Sequence, residues 1–221
     1  MRAMILAAGR GARMRPLSDH TPKPLLKAGG QSLIERTIHQ LVKAGFDDLV
    51  INHAYLGEQI ENALGNGSAF GANIRYSPEG SVGLETAGGI IRALPLLGEA
   101  PFLVVNGDIA TSFAYETLKN VSVNLAHLVL VANPPHHPKG DFFLAPNQYL
   151  QHHGEPRYTF SGIGVYSPDL FKAAPLNSST LAPLLRDAIQ RQQITGEYFD
   201  GFWSDIGTPE RLADLEKYYT T

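Results

Sequence analysis

The 221-residue chain has no cysteine. That absence removes disulfides, thiolate zinc sites, iron–sulfur clusters and any cysteine nucleophile, and it agrees with a reducing compartment, so the cytoplasm is the expected location. Positive charge is also scarce: 18 Lys and Arg stand against 21 Asp and Glu, a net charge of −3, with a sequence pI of about 6.2. Such a balance offers no basic footprint, and no nucleic-acid partner is expected. Long apolar runs are missing too. The longest stretch without Lys, Arg, Asp or Glu, Asn120 to Pro138, holds Asn, Ser, His and three prolines, which suits no bilayer span. The apolar opening Ala3 to Ala8 meets Arg10, Arg13 and Arg15 at once. It is too short for a signal-peptide core and carries its charge on the wrong side, so a soluble protein with no leader and no membrane partner is expected.

What is present reads as α/β. Short Val-, Ile- and Leu-rich runs alternate with helical patterns through the first half, as in βαβ units around a mostly parallel sheet. Strands are expected at 3–7, 49–52, 74–76, 102–106 and 128–132, apolar enough to be covered on both faces. The clearest helix starts at Ser32, which has capping-box spacing to Glu35, carries Ile34, Ile38, Leu41 and Val42 on one face, and stops before Gly45. Further helices are expected over 56–64 and after Gly88-Gly89 through Leu97. Beyond Pro134-Pro135 the pattern predicts strands near 141–144, 158–166 and 197–202, a helix over 181–191, and a last helix capped by Thr208 with Pro209 in its first turn. At roughly 150 residues per domain the length favours one domain, 1–221.

The first strand runs into Ala7-Ala8-Gly9-Arg10-Gly11-Ala12-Arg13-Met14-Arg15-Pro16-Leu17. Small residues let backbone amides approach phosphates closely. Met14 stands where a dinucleotide fingerprint needs glycine, and no Gly-Lys-Ser/Thr follows, so neither familiar phosphate loop applies. Taken alone, the glycines read equally well as a turn with solvated charges. Lys23, stiffened by Pro22 and Pro24, adds a positioned cation.

This opening, with Pro22-Lys23-Pro24-Leu25, Asn106-Gly107-Asp108 after an apolar strand, and Trp203-Ser204-Asp205-Ile206-Gly207-Thr208-Pro209, resembles the sugar-1-phosphate nucleotidyltransferases over essentially the whole chain. The resemblance implies a Rossmann-like three-layer sandwich with a nucleotide-binding half over about 1–110 and a sugar-binding half over about 111–221, and attack of a sugar 1-phosphate on the α-phosphorus of a nucleoside triphosphate, with pyrophosphate leaving. Two anions must meet, so such chemistry rests on positioning and electrostatic stabilisation. By resemblance, Arg13 grips the triphosphate, Lys23 neutralises the reacting phosphates, and Asp108 and Asp205 hold Mg²⁺. The same resemblance makes Ala7, Ala8, Gly9, Gly11, Ala12, Glu85, Thr86, Gly88 and Asn106 nucleotide contacts, with the segment 83–89 passing the nucleoside in front of a helix. Glu85 has a plainer reading as negative charge at a helix N-terminus. Gly140, Asp141, Glu155 and Gly162 correspond more loosely to the family's sugar contacts, and exposed loop residues would look the same.

The short chain and the segments Val50 to Gly57 and Leu84 to Gly89 are most similar to the branch that joins UTP to N-acetylmuramate 1-phosphate in peptidoglycan recycling, acting plausibly as a monomer. Guanylyl transfer to mannose 1-phosphate is the enzymatic alternative, and a non-catalytic sugar-nucleotide-binding subunit is the alternative of another class. One departure is Ala110, where that branch often has a bulky aromatic, a difference that would alter the pocket. His136-His137 and His152-His153 lack the i, i+4 spacing of a helical metal site and read as loop histidines. The aromatics Tyr158, Phe160, Tyr166, Phe199, Phe202 and Trp203 read as packing.

Overall fold

The computed structural model describes residues 1–172, 174 and 180–220. Nine strands form one sheet. Its first half is parallel, in the order β6 (Phe102–Asn106), β1 (Ala3–Leu6), β4 (Asp48–His53), β5 (Asn73–Pro78). Two two-residue strands, β2 (Lys27–Ala28) and β3 (Gln31–Ser32), make a separate hairpin between β1 and β4. The second half hangs on β11 (Arg157–Tyr166), which runs antiparallel to β6, to β8 (Ala126–Val131) and to β9 (Phe142–Leu144). The sheet is completed by β10 (Leu150–Gln151) beside β9 and by β12 (Ile194–Phe199), parallel to β8. A separate antiparallel pair joins β7 (Ile109–Thr111) to β13 (Trp203–Asp205).

Alternation along the strands sorts the core into two layers, because successive side chains leave opposite faces of a sheet. Ala3, Ile5, Leu49, Ile51, Leu103 and Val105 face α1 (Leu33–Lys43) and α2 (Gly57–Leu64) through Ile34, Ile38, Leu41, Ile60 and Leu64. Met4, Val50, Phe102 and Val104 face the other way, toward α3 (Glu85–Leu97), α4 (Asp169–Lys172) and α5 (Leu181–Gln190). Each such fully buried Leu or Ile contributes roughly 1.5–3 kcal/mol. A third, smaller cluster joins Met14, Leu26, Ala28, Leu33, Ala110 and Ile206 to Leu212 and Leu215 of α6 (Pro209–Thr220). Ala110 therefore packs in a core, 3% exposed, and does not shape a pocket.

Two expectations need correction. The third helix begins at Glu85, so Gly88 and Gly89 lie inside it instead of in a loop before it. The strand expected over 197–202 ends at Phe199; after Asp200-Gly201 the chain pairs with β7, where the Phe202 carbonyl accepts from the Ser112 amide (2.9 Å) and the Thr111 hydroxyl (2.9 Å). Local alternation cannot show this change of partner, because both pairings bury the same kind of residue.

The start of α1 is as the sequence reads. Ser32 Oγ accepts from the Glu35 amide (3.3 Å), and the Glu35 carboxylate accepts from the Ser32 amide (2.9 Å). The hydrogen bond from Ser32 holds the Glu35 carboxyl below its ordinary value of 4.5, against the opposing effect of partial burial. Ser32→Ala is expected to cost about 1 kcal/mol in urea unfolding at neutral pH. Since the folded Glu35 value is depressed, its contribution is complete above the ordinary value and is lost as pH falls through the folded one. The stability gap between wild type and Glu35→Gln should accordingly close on acidification; a gap unchanged in acid would refute this account.

Candidate active site

Parallel strands deliver their carboxyl ends to a common edge, and a ligand crevice opens where the chain's winding reverses. Here the winding reverses at β1: the chain passes from β1 to β4 and β5 on one side, then returns to β6 on the other. A cleft of about 560 Å³ opens at that edge, lined by residues following β1, β4, β5 and β6.

The loop after β1 is pinned at several points. The Ala7 amide donates to Asn52 Oδ1 (2.9 Å), Ser18 Oγ donates to the Gly11 carbonyl (2.7 Å), and the Met14 amide donates to the same carbonyl (2.8 Å). Gly11 has φ +67°, and a Cβ there would come 3.0 Å from Lys23 Cβ, so this turn needs glycine for conformation and for space. Ala7, Ala8, Gly9, Gly11, Ala12 and Arg13 all line the cleft. The exposed Arg13 side chain has no hydrogen bond or ion pair among the described residues, which leaves its guanidinium available to an anion.

Lys23 starts a short turn with Pro22 before it and Pro24 inside it. It is only 8% exposed, and Nζ meets Asp108 Oδ2 at 2.5 Å. Asp108 reaches that point because Gly107 packs on β1, its amide donating to the Leu6 carbonyl (2.9 Å) where a Cβ would come 2.6 Å from the same oxygen.

Asp205 ends β13 opposite Ile109, and the next amide, Ile206 N, donates to the Asp108 carbonyl (2.7 Å). The register thus brings the two aspartates, far apart in sequence, to neighbouring positions. Asp205 is not in the wall of the cleft, although Gly207 is. Its carboxylate is ion-paired to Arg211 and lies 3.2 Å from His136 Nε2, while its carbonyl accepts from Arg211 Nη1 (3.0 Å). Carboxylate oxygens are the donors that Mg²⁺ takes together with substrate phosphates; here the Asp108 carboxylate lines the cleft against Lys23, while that of Asp205 is turned to Arg211. Among the described residues no group of three or more His, Asp or Glu could form a complete cage.

Glu85 and Thr86 line the cleft at the start of α3. Gly88 is in the helix and not in the cleft wall. Its neighbour Gly89 is buried, where a Cβ would come 2.4 Å from Glu79 Oε1 and 2.8 Å from Asn52 Nδ2, so this glycine serves helix–sheet packing. Asn106 lines the cleft beneath Gly162, whose φ is +82° and whose Cβ would come 2.6 Å from Asn106 Nδ2.

None of Gly140, Asp141, Glu155 and Gly162 lines the cleft. Asp141 is tied into its own loop, accepting from the Phe160 amide (2.8 Å) and meeting His137 Nε2 at 3.1 Å. Glu155 is exposed.

The sequence pattern does not single out Asn52, Glu79, Tyr55, Arg10, His136 or Arg211. Asn52 Nδ2 donates to Glu79 Oε1 (2.7 Å), and Glu79 Oε2 accepts from the Leu84 amide (2.6 Å). With the bond from Ala7, this buried pair links the loop after β1 to the loop after β5. A signal was available, since both are polar residues at the carboxyl ends of apolar parallel strands. For His136 and Arg211 the sequence carries none, because their partner becomes a neighbour only through the β7–β13 register.

The geometry agrees with the chain's relatives. Residues 2–145 match the family model described as nucleotidyl transferase. The N-acetylmuramate alpha-1-phosphate uridylyltransferase of Neisseria meningitidis is 51% identical, over 98% of this chain and 97% of its own. The enzyme of the same description from Caulobacter vibrioides is 31% identical, over 97% and 95%. The fold is shared with HddC from Yersinia pseudotuberculosis complexed with GMP-PN, at a TM-score of 0.80 and 18% identity, covering 99% of each chain. The chain belongs to the nucleotidyl transferase family, in its sugar-1-phosphate branch.

Proposed function

We infer that the chain transfers the uridylyl group of UTP to N-acetylmuramate 1-phosphate, giving UDP-N-acetylmuramate and pyrophosphate. One observation carries the chemistry: at the switch point of the sheet, an almost fully buried lysine contacts a carboxylate 2.5 Å away beside a glycine loop bearing an unpaired arginine. The choice of base and sugar rests on the 51% identical relative.

In this reading a phosphate oxygen of the sugar 1-phosphate attacks the α-phosphorus. The bond from that phosphorus to the bridging oxygen breaks, and pyrophosphate leaves with the electron pair. Lys23 places positive charge where the two anions meet, in a site shielded enough for that charge to act strongly. Arg13 and the amides of Gly9 to Ala12 receive the departing phosphates. Asp108 and Asp205 would hold Mg²⁺, which supplies further neutralisation of phosphate oxygens. Glu85 and Thr86 border the nucleoside, held at a set distance from the phosphate loop by the Asn52–Glu79 link. The half about 111–221, with Gly140, Asp141, Glu155 and Gly162, is the half we assign to the acceptor sugar by resemblance; none of these four lines the cleft.

A monomer is the assembly we propose, every residue named here coming from one chain. No helix among the described residues is long and apolar enough to cross a membrane. We place the reaction in the cytoplasm, where a nucleoside triphosphate is at hand, and in the recovery of peptidoglycan sugars.

The test is pyrophosphate release with Mg²⁺ across pairings of UTP, dTTP, GTP, CTP and ATP with N-acetylmuramate, N-acetylglucosamine, glucose and mannose 1-phosphates, products being identified by mass. UTP with N-acetylmuramate 1-phosphate should dominate; a dominant GTP and mannose 1-phosphate signal would keep the chemistry and overturn the substrate. Lys23→Ala and Asp108→Ala should each lower kcat by at least about 10²-fold, the scale of losing one preorganised electrostatic group. Turnover near wild type in either variant would remove its assigned role.

A further inference from the structure

The second carboxylate that the family resemblance gives to Mg²⁺ is already taken inside the chain. Asp205 is ion-paired to Arg211, and its carbonyl accepts from Arg211 Nη1 (3.0 Å). Its other carboxylate oxygen lies 3.2 Å from His136 Nε2, which is itself 3.3 Å from Arg211 Nη1. The Arg211 and Asp205 side chains are only 21% and 23% exposed, so solvent screens this pair poorly. Asp108 is likewise occupied, by Lys23.

The local fold fixes where Arg211 starts from. It stands in the first turn of α6, where the Thr208 hydroxyl accepts from its amide (3.4 Å) and the Thr208 carbonyl accepts from the amide of Leu212 (3.1 Å). Leu212, the next residue, is anchored in the third core. The contacts of the guanidinium with Asp205 and His136 all run through Nη1. Nη2 has no hydrogen bond among the described residues. It lies 3.0 Å from the point that a Cβ on Gly207 would occupy, with Arg13 Nη2 3.2 Å from the same point. Gly207 belongs to the wall of the cleft. One arm of the guanidinium thus grips Asp205 while the other stands free at the cleft wall.

We propose that Arg211 is a positioning residue for Asp205: it withholds the carboxylate from a divalent cation in the free protein and releases it when substrate oxygens take the guanidinium. A carboxylate whose charge is already balanced attracts a cation weakly, and pulling it away would strand a shielded guanidinium beside a second positive charge. Phosphate oxygens reverse both effects. They accept from a guanidinium, and they are the ligands that Mg²⁺ takes alongside carboxylates. Asp205 is therefore offered to the metal together with the substrates, not before them. This rests on the reading of Asp205 as a metal carboxylate in a nucleotidyltransferase site, and the experiment separates the two.

Binding of Mn²⁺, as a paramagnetic stand-in for Mg²⁺, should be measured by electron paramagnetic resonance for wild type, Arg211→Met, Arg211→Lys, Asp205→Asn and the double variant Arg211→Met/Asp205→Asn. Each is measured with and without UDP-N-acetylmuramate, whose own binding is followed by calorimetry. Without nucleotide, Arg211→Met should bind Mn²⁺ roughly 10-fold more tightly than wild type, the scale of one charge-assisted contact. Arg211→Lys, which keeps the charge and loses the planar fork, should fall between the two and serves the same comparison should the methionine variant not fold. With UDP-N-acetylmuramate bound, the gap between Arg211→Met and wild type should shrink to within about 3-fold. In the Asp205→Asn background the Arg211 substitution should bring no gain. A residue that only holds α6 in place would lower thermal stability without tightening Mn²⁺. Mn²⁺ affinity at or below that of wild type in the Arg211 variants overturns the proposal; so does a gain that persists without the Asp205 carboxylate, or a gap left unchanged by bound nucleotide. A wild type that fails to bind UDP-N-acetylmuramate overturns the substrate reading above, and the nucleotide-free comparison then decides on Arg211.

Discussion

A lysine ammonium held almost out of water against one carboxylate is the constraint on which this cleft depends. Lys23 and Asp108 stand 85 residues apart, one from the loop beyond the first strand and one from the end of the strand beside it. Their 2.5 Å contact fixes the distance between these segments. It also leaves neither charge stranded, which matters because a buried charge deprived of its partner is costly. An incoming phosphate or cation enters a region whose opposite charges already balance. Arg13, by contrast, has no hydrogen bond or ion pair among the described residues, and its donors are free.

Around that contact the polypeptide solves a packing problem with very little tolerance. Gly107 lets the end of β6 touch β1, Gly11 lets the loop fold over Lys23, and Gly89 lets α3 settle on the Asn52–Glu79 pair. These approaches are made by backbone, and each sets a distance that side chains then inherit. The loops that follow β1 and β5 are consequently joined through the floor of the cleft by three hydrogen bonds, from the Ala7 amide through Asn52 and Glu79 to the Leu84 amide.

Much of this was legible in the residues. The alternation of Ala3, Met4 and Ile5 between two helical layers, the Ser32–Glu35 cap and the tight loop ahead of Lys23 are local patterns, each decided within a few positions. Asp108 was legible for the same reason, standing just beyond an apolar strand. What the sequence hides is set by registers between distant segments. Gly88 reads as loop because two glycines seldom open a helix, yet helix begins three residues before it, since the adjoining Gly89 must meet Glu79 and Asn52. Arg211 and His136 gain their partner only through the pairing of β13 with β7, and nothing near them in the chain announces it.

The small third core has a consequence for how the molecule comes apart. Met14 of the glycine loop and Leu26, just past Lys23, share a hydrophobic unit with Leu212 and Leu215 of the twelve-residue terminal helix. Regions that bury one another's apolar surface open and close together as a cooperative unit. Helix α6 is therefore part of the same foldon as the phosphate loop, though neither leucine faces the cleft. Fraying of α6 would be felt in the glycine loop that follows the first strand.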